Sequence, residues 1–417
     1  MKPTSGALRY FARIRNGTTP ASGEAEYWDG DVKWATPEDL GKLTTDRITE
    51  TKRMVTEKAV EESNLSILPI GSIIISTRAP IGHMAINDAP MAFNQGCRGI
   101  VPGDRVYGPF LYYFLKSLAP ELNAMANGTT FVELSRDELA AVPVAFPPLE
   151  TQRRIARFLD EKTSRIDGLI EKKRALLDRL AEKRQTLITR AVTKGLNPDA
   201  PMKPSGIDWL GGIPLHWERQ RLKEVCKEII DCKNRTPPNV DDGEYFVIRT
   251  SCLGGGQFNP AGGYWTDEES FAEWTKKGTP QENDVLISRE APMGEACLFP
   301  EGYMLCLGQR MMLARADPDK IHPYFLLLNI YSDVGREFVD LRKKGTTVGH
   351  LRVPEVFNFP VMVPPIAEQR EIVIELRRQL ESLREVECRV ARSLEKLEEY
   401  RSALTTAAVT GKIVGLQ

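Results

Sequence analysis

A stretch of about two hundred residues occurs twice in this chain, and each copy ends in the same signature. The sequences Pro147–Ile155 (PPLETQRRI) and Pro364–Ile372 (PPIAEQREI) each open a long amphipathic segment. The two copies are offset by 217 residues, and the offset holds from Gly128-Thr129-Thr130 to Ala191-Val192-Thr193 of the first copy. A chain with two equivalent halves predicts a target of nearly two-fold symmetry, and duplex DNA is the commonest such object.

Length and composition set the class of protein. The 417 residues are enough for two or three domains, and the 41% hydrophobic and 27% charged fractions are those of an ordinary folded protein. Neither the start of the chain nor any apolar run resembles a signal peptide or a membrane span, so we expect a cytoplasmic protein. Seven scattered cysteines without a C-x-x-C pair argue against a disulfide framework and a zinc site.

The charge is balanced overall but uneven locally. A formal net charge of −1 argues against a non-specific nucleic-acid coat, which owes its affinity to many Lys and Arg. From Arg153 to Lys194, however, thirteen basic residues face six acidic ones. The first amphipathic segment therefore carries a basic face.

The repeat, together with the glycine and proline residues at the ends of its parts, divides the chain into five segments. Gly195 and the prolines that follow it are typical of a helix end and a linker. Short β-branched runs such as Gly71–Ser76 and Asp284–Ser288 predict strands in the remaining parts. We therefore predict a globular domain at 1–146, a long helix at 147–195, a linker at 196–216, a second globular domain at 217–363 and a C-terminal helix at 364–417.

The two long segments show a heptad pattern. In the first, Leu159, Ile166, Leu180 and Leu187 form the apolar line, Leu169, Leu176 and Leu177 support it, and Lys173 interrupts it. In the second, the line is Leu376, Leu383, Val390, Leu397 and Leu404. One apolar seam needs one partner, so each helix of roughly 60 Å is expected to pair with the other.

The prediction for the whole chain is an α+β fold. Two mixed α/β domains are separated by two long antiparallel helices, which form an intramolecular coiled coil with pseudo-two-fold symmetry. The helices would then act as a ruler between the globular parts.

The sequence contains no familiar catalytic motif. It lacks a G-x-x-x-x-G-K-[ST] loop, an H-E-x-x-H pair, a G-x-S-x-G elbow and a G-x-G-x-x-G loop. The four histidines, His83, His216, His322 and His350, are spread over the chain without clustered carboxylates or cysteines. We therefore expect no catalytic or metal site in this chain.

Two recurring loops are candidates for phosphate contacts. Backbone N–H groups and hydroxyls suit phosphate oxygens, although a plain turn explains such sequences equally well. The recurrence in both halves favours the functional interpretation. The candidates are Asn127, Gly128, Thr129 and Thr130 in the first half, and Lys343, Lys344, Gly345, Thr346, Thr347 and His350 in the second.

Arg and Gln side chains in corresponding places are candidates for reading bases. Arg78 and Arg289 occupy nearly equivalent positions, as do Gln95 and Gln309, and such side chains bind guanine or adenine edges through two hydrogen bonds. Arg310 directly follows Gln309, and Arg98 lies three residues after Gln95; both are further candidates for DNA contacts. An arginine salt-bridged within a loop and a glutamine capping a strand are equally good explanations.

The layout closely resembles the specificity (S) subunits of Type I restriction-modification systems, and the resemblance covers essentially the whole chain. The helix opening of that family has the form P-P-L-x-E-Q-x-x-I. The second copy fits with Ile366 for Leu and with Glu368 and Gln369, whereas the first has Thr151 in place of the glutamate.

The resemblance implies a protein that reads DNA without doing chemistry. Each target-recognition domain would read one half of an interrupted DNA site, and the paired helices would space the domains and dock two methyltransferase (M) subunits, which restriction (R) subunits then join. No cofactor is implied for this chain, while S-adenosylmethionine, ATP and Mg are implied for the partner subunits. Because the globular halves differ, the site is expected to be asymmetric.

Two other functions remain open at this stage. The chain could be a coiled-coil scaffold whose globular ends bind proteins, as the balanced charge allows. A self-contained nuclease or methyltransferase has only the length of the chain in its favour.

Overall fold

The computed structural model describes residues 4–78, 81–126, 133–343 and 349–416. The chain forms two compact units. The first contains Met1–Lys173 together with Arg392–Gln417, and the second contains Arg174–Ala391. Each unit therefore combines one globular part with pieces of both long helices.

The first unit is built on a five-stranded and a three-stranded sheet, in the orders β2-β9-β6-β7-β4 and β5-β3-β8, with β1 paired to β10. Its strands are β1 (Thr4–Ala7), β2 (Ala12–Asn16), β3 (Trp28–Ala35), β4 (Arg47–Ile48), β5 (Arg53–Val55), β6 (Ile73–Ser76), β7 (Met84–Asn87), β8 (Ala92–Phe93), β9 (Cys97–Pro102) and β10 (Pro143–Phe146). Its shorter helices are α1 (Pro37–Lys42), α2 (Glu57–Glu62), α3 (Gly108–Ser117), α4 (Ala119–Ala126) and α5 (Arg136–Ala141). The long helix α6 (Leu149–Lys194) begins directly after β10.

The second unit repeats this plan with a four-stranded sheet, β14-β22-β19-β20, and a three-stranded sheet, β18-β15-β21. Its strands are β11 (Met202–Pro204), β12 (Gly212–Pro214), β13 (Glu218–Arg221), β14 (Cys226–Asp231), β15 (Tyr245–Ile248), β16 (Leu253–Gly254), β17 (Gln257–Phe258), β18 (Tyr264–Thr266), β19 (Asp284–Ser288), β20 (Ala296–Leu298), β21 (Leu305–Leu307), β22 (Met311–Ala316) and β23 (Pro360–Val363). Its shorter helices are α7 (Leu222–Val225), α8 (Glu268–Trp274), α9 (Pro323–Tyr331), α10 (Asp333–Lys343) and α11 (Val353–Phe357). The second long helix, α12 (Ile366–Val409), begins after β23.

The α+β fold class with two mixed parts and two long helices is confirmed. A glycine in the left-handed region follows each long helix, Gly195 (φ 70°) directly after Lys194 and Gly411 (φ 72°) two residues after Val409. Glycine adopts this conformation without a steric penalty, and it closes the last helical turn.

Within each unit, the start of one long helix packs against the end of the other. In the first unit, Ile155 and Leu159 share a buried cluster with Ala408 and Val409. In the second, Ile188 and Val192 share a cluster with Ile372 and Leu376. Opposite ends therefore meet, as in an antiparallel pair.

The residues of the predicted seams are buried to different degrees. At most 9% of each side chain is exposed in the buried group, which contains Leu159, Ile166, Leu180, Leu376, Leu383 and Val390. Leu187, Leu397 and Leu404 are only partly buried. Leu187 and Leu404 pack at the margins of the two buried clusters that the long helices share with the globular parts.

The predicted support of the first seam by Leu169 and Leu176 is wrong. Their side chains are 48% and 41% exposed, while Leu177 is partly buried and Ile170 is only 7% exposed. Ile170 follows Ile166 by four residues and therefore lies on the same helix face, whereas Leu169 points away from it. An apolar residue placed one position off the seam faces solvent.

A buried glutamine holds the start of each long helix. Gln152 accepts a hydrogen bond from the backbone N–H of Tyr107 (2.8 Å) and donates to the carbonyls of Arg105 (3.1 Å) and Pro147 (2.8 Å). This segment leads into α3. One amide thus satisfies three backbone groups at the junction between helix and globular part.

Gln369 makes the same three bonds in the second unit. It accepts from the backbone N–H of His322 (2.8 Å) and donates to the carbonyls of Lys320 (2.8 Å) and Pro364 (2.8 Å). The glutamine is fully buried. The repeated signature is therefore a structural clamp, with the Pro-Pro pair supplying one of its acceptors.

Neither a membrane helix nor a metal cluster is found in the described part of the chain. No described helix is long and apolar enough to cross a membrane. No group of three His, Cys, Asp or Glu side chains in the described ranges could hold a metal ion. All seven cysteines are free thiols.

Replacing the clamp glutamine is expected to destabilise the second unit. Gln369→Ala leaves a buried N–H and two carbonyls without their partner, which should lower the free energy of unfolding by about 2–4 kcal/mol. The matched control is Gln379→Ala, because Gln379 is only partly buried and bonds to Glu375 on the same helix. Chemical denaturation of both variants measures the difference, and equal losses would contradict the clamp.

Lys116 is a partly buried cation in the first unit. Its Nζ donates to the hydroxyl of Tyr112 (2.8 Å). Burial, followed by repulsion from Arg401, lowers the pKa of Lys116 to about 8. Arg401 itself is held by Asp167 through two bonds of 2.7 and 2.9 Å, so this carboxylate is already engaged.

This lowered pKa makes stability depend on pH. Because the unfolded state keeps the Lys116 proton up to about pH 10.5 while the folded state releases it near pH 8, the contribution of Lys116 to the free energy of unfolding rises with pH between these values, by up to about 1.4 kcal/mol per pH unit. Buried thiols such as Cys97, whose pKa burial raises, contribute with the opposite sign, so the Lys116 contribution is read as the difference between the two proteins. Lys116→Met should remove this rise. Urea unfolding of both proteins at pH 7.5, 8.5 and 9.5 tests it, and parallel profiles would refute it.

Candidate nucleic-acid interface

Four of the predicted site residues surround one polar cleft in the second unit. The cleft has a volume of about 390 Å³. It lies where the loops after β14 and β19 meet the turn before β22. We call it the second-unit cleft. The residues that line it are Asp231, Cys232, Asn234, Arg289, Glu290, Gln309, Arg310 and His350.

Backbone hydrogen bonds fix the loops that form this cleft. The N–H of Arg289 donates to the carbonyl of Arg310 (2.9 Å), and the N–H of Leu351 donates to the carbonyl of Arg289 (2.9 Å). The loop after β19 is thus held between two other segments. The side chains that project from it start from a rigid frame.

Arg289 forms part of the wall of the cleft. Its side chain is largely buried, and its Nε lies 3.5 Å from Oδ1 of Asp231. Because the guanidinium is buried, it offers little surface to a ligand, and its Nε makes no hydrogen bond to the described residues, so its contact with Asp231 is a long ion pair. The position of Arg289 favours the structural role that the sequence left open beside base reading.

Glu290 contacts two side chains at the mouth of the cleft, those of Arg310 and His350. One carboxylate oxygen lies 2.7 Å from Nε of Arg310, and the other contacts Nδ1 of His350. The side chain of Arg310 is 49% exposed. Its backbone has φ 72°, a conformation uncommon for residues other than glycine. The fold therefore presents this arginine to solvent at a conformational cost.

Gln309 is only loosely held. Its Nε2 lies 3.5 Å from Oδ1 of Asn234, and its Oε1 lies 3.4 Å from Oγ1 of Thr236. Hydrogen bonds of this length are weak. The amide can therefore exchange these partners for the edge of a bound base at little cost.

The first unit carries a related cluster, formed by Arg78, Gln95, Arg98 and Glu133. Glu133 accepts from Nε of Arg78 (3.1 Å) and from a terminal nitrogen of Arg98 (3.1 Å). The side chain of Arg78 is 52% exposed, whereas that of Arg98 is 12% exposed and also donates to the carbonyl of Gln95 (2.9 Å). Gln95 itself is exposed.

The nearly equivalent positions of Arg78 and Arg289 differ by one residue. The N–H of Thr77 donates to the carbonyl of Gly96 (2.8 Å), and the carbonyl of Thr77 accepts from the N–H of Leu134 (2.9 Å). Arg289 makes the same two backbone bonds, to Arg310 and from Leu351. Thr77 therefore corresponds to Arg289. Arg78 then corresponds to Glu290, because the register of a loop is set by its backbone bonds and not by residue type.

This register places side chains of opposite charge at the same loop position in the two units. The backbone of Arg78 pairs with that of Glu133 in an isolated antiparallel β-bridge, and the backbone of Glu290 pairs with that of His350 in the same way. The first unit thus has its cation on the loop after β6, and the second has its anion on the corresponding loop. The two clusters share a backbone frame but present different chemistry.

Several candidates lie outside the described residues, namely Asn127, Gly128, Thr129 and Thr130 in the first half and Lys344, Gly345, Thr346 and Thr347 in the second. Lys343 ends α10 and pairs with Asp340 at 2.8 Å. Phosphate binding by these loops remains a prediction.

Sequence reasoning missed the acidic partners and one loop. Asp231, Glu290 and Glu133 hold the arginines, and the loop with Asn234 and Thr236 reaches Gln309. A signal for that loop exists in the repeat, because Thr19-Pro20 and Thr236-Pro237 keep the same offset of 217 residues. Thr19 also contacts an amide side chain of its own unit, Asn94 (3.0 Å).

Comparison with known proteins places these features in a family. Residues 6–179 and 214–385 match the family described as Type I restriction modification DNA specificity domain. The MjaIX specificity subunit of Methanocaldococcus jannaschii is 39% identical over 154 residues, which is 36% of this chain and 36% of that protein. The EcoR124I/EcoR124II specificity subunit of Escherichia coli is 25% identical over 35% of this chain and 37% of that protein. The chain thus spans about a third of the length of these relatives.

Solved structures share the fold over the full length. A chain from a type I R-M system studied for complex assembly and conformational transition has a TM-score of 0.73 at 17% identity, covering 99% of this chain and 98% of that one. The HsdS subunit from Thermoanaerobacter tengcongensis has a TM-score of 0.50 at 16% identity, covering 99% and 97%. With two matched copies over most of its length, the chain belongs to the Type I restriction modification DNA specificity family.

Proposed function

We propose that this chain is the non-catalytic DNA-specificity subunit of a Type I restriction-modification complex. Each globular part reads one half of an interrupted DNA site, and methyltransferase and restriction subunits assemble on the chain and perform the chemistry. The observation that carries the proposal is the second-unit cleft, which has a differently charged counterpart at the same place in the first unit. The names of the relatives favour this function over a scaffold that binds only proteins.

Arg310 and Gln309 are the proposed base-reading residues of the second unit. Arg310 is exposed and paired at the mouth of the cleft, and Gln309 has weak partners that it can give up. Arginine and glutamine bind guanine and adenine edges through paired hydrogen bonds. Arg289 acts beside them as a positioning residue, held by Asp231.

The first unit is proposed to read a different half-site. Arg78 is its most exposed cation in the cluster, while Arg98 is fixed by Glu133 and the carbonyl of Gln95. Gln95 is exposed on the same turn. Because the acidic partner lies on the opposite segment in this unit, the pattern of donors and acceptors offered to DNA differs between the halves. The complete site is therefore asymmetric.

The specificity proposal is tested by mapping methylated adenines. Co-expressed with its methyltransferase subunits, the chain should direct methylation to one interrupted motif. Arg310→Ala should relax the base preference at one position of one half-site, by about 1–3 kcal/mol in discrimination, and leave the other half-site unchanged. Arg389→Ala, which removes an exposed arginine of α12, is the control. Methylation without sequence preference by the wild-type complex would overturn the function.

The paired helices are proposed to set the distance between the half-sites. One heptad inserted after Leu180 and another after Leu397 adds about 10.5 Å to each helix and should lengthen the spacer by about 3 bp. Seven residues inserted after the exposed Asp199 of the linker should leave the spacer unchanged. The same methylation map measures both, and an unaltered spacer after the double insertion would argue against the ruler.

A further inference from the structure

Four basic side chains lie together in the second unit, beside the second-unit cleft. Lys233 and Arg235 belong to the loop that follows β14, and Lys276 and Lys277 come shortly after the end of α8. We call these four residues the basic patch. Arg235, Lys276 and Lys277 are exposed, whereas Lys233 is partly buried. Most of the patch is therefore open to a ligand.

The loop after β14 and the helix α8 hold each other in place. The indole Nε1 of Trp274 donates to the carbonyl of Arg235 (3.0 Å), and Nζ of Lys277 donates to the carbonyl of Asp231 (3.3 Å). The Nζ of Lys233 lies 5.1 Å from the centre of the Trp274 ring. The backbone that carries the basic patch is therefore fixed before any ligand binds.

Acidic side chains do not balance the charge of the patch. Glu273 contacts Nζ of both Lys233 and Lys276. The guanidinium of Arg235 forms no ion pair with any described residue. Partial burial lowers the pKa of Lys233, and repulsion from the other three cations lowers it further, so the four charges lie close together. Four cations beside one carboxylate attract an anionic partner.

The basic patch adjoins the residues proposed to read bases. Asn234 and Thr236 stand on either side of Arg235 in the loop, and they lie 3.5 and 3.4 Å from the amide of Gln309. Asn234 also lines the second-unit cleft. Because the major groove is only about 12 Å wide, a base edge that reaches Gln309 has a phosphate chain within side-chain range of the patch.

The first unit has no counterpart of this patch. The corresponding strands β2 and β14 end at Asn16 and Asp231, and each copy then reaches a Thr-Pro pair that begins at Thr19 or Thr236. Two residues lie between in the first unit and four in the second, and the longer loop carries two of the cations. The helices α2 and α8 each follow an edge strand of a three-stranded sheet, and the uncharged residues 63–65 follow α2. The patch thus belongs to the part that differs between the halves.

We propose that the basic patch binds phosphate groups of the DNA backbone beside the half-site that the second unit reads. The inference rests on the proposed function and names the residues that hold the duplex while Gln309 and Arg310 read its bases. Lys and Arg side chains on phosphates release counterions and so supply affinity without sequence information. Continuity of the patch with the base-reading residues favours DNA over an acidic segment of a partner protein.

The test uses the complex with its methyltransferase subunits and a fluorescein-labelled duplex that carries the motif found by the methylation map. Arg235→Gln combined with Lys276→Gln removes two phosphate contacts. The slope of log Kd against log salt concentration should fall by about two, and binding should weaken about tenfold or more near 0.15 M salt. The same loss is expected on a duplex with a scrambled second half-site, because phosphates carry no base identity.

The matched control is Lys223→Gln combined with Lys227→Gln, which removes two exposed cations of the same unit outside the patch. Its salt slope should equal that of the wild-type complex. Arg235→Lys keeps the charge and should keep both the slope and the methylated motif, whereas a base-reading arginine does not tolerate this exchange.

An unchanged salt slope in the double variant of Arg235 and Lys276 would overturn the proposal, even if specific methylation upholds the proposed function. Loss of the methyltransferase subunits from that variant in size-exclusion chromatography would overturn it as well, because the patch would then bind protein. A wild-type complex that binds every duplex equally would instead contradict the proposed function.

Discussion

The contact on which both halves depend is the buried amide at the start of each long helix. Gln152 and Gln369 each satisfy one backbone N–H and two carbonyls where helix, proline pair and globular part meet. A helix is stiff, so the direction set at its first turn is carried along its whole length. Because an unsatisfied buried group is costly, this geometry tolerates little variation. The repeated sequence from the Pro-Pro pair to the buried glutamine therefore marks the contact that fixes the direction of each long helix.

The same frame supports different chemistry in the two clefts. Backbone bonds place Thr77 and Arg289 at one position, and the next residue is Arg78 in one unit and Glu290 in the other. Backbone hydrogen bonds do not depend on side-chain identity, so the loop geometry survives when the charges exchange places. A duplicated scaffold can therefore present two unlike surfaces. This separation of frame from contact suits a protein proposed to read two unlike half-sites.

Much of the architecture could be predicted because it follows local periodicity. The heptads locate both helices, and the conserved offset shows that the halves are copies. The prediction was less accurate where a shift of one residue changes which side chain is buried or which loop position a side chain occupies. Leu169 and Ile170 are both apolar, and only packing against a partner decides which of them is buried. Arg78 and Arg289 align by type, but the strand and loop registers place Glu290 opposite Arg78.

By itself, the sequence determined the duplication, the two long helices, the α+β class and the resemblance to its family, since these follow from patterns that repeat along the chain. Only the tertiary structure decided which arginine is buried against Asp231 and which is exposed beside Glu290. The physical reason is that burial and ion pairing join residues far apart in the chain, which no local pattern records.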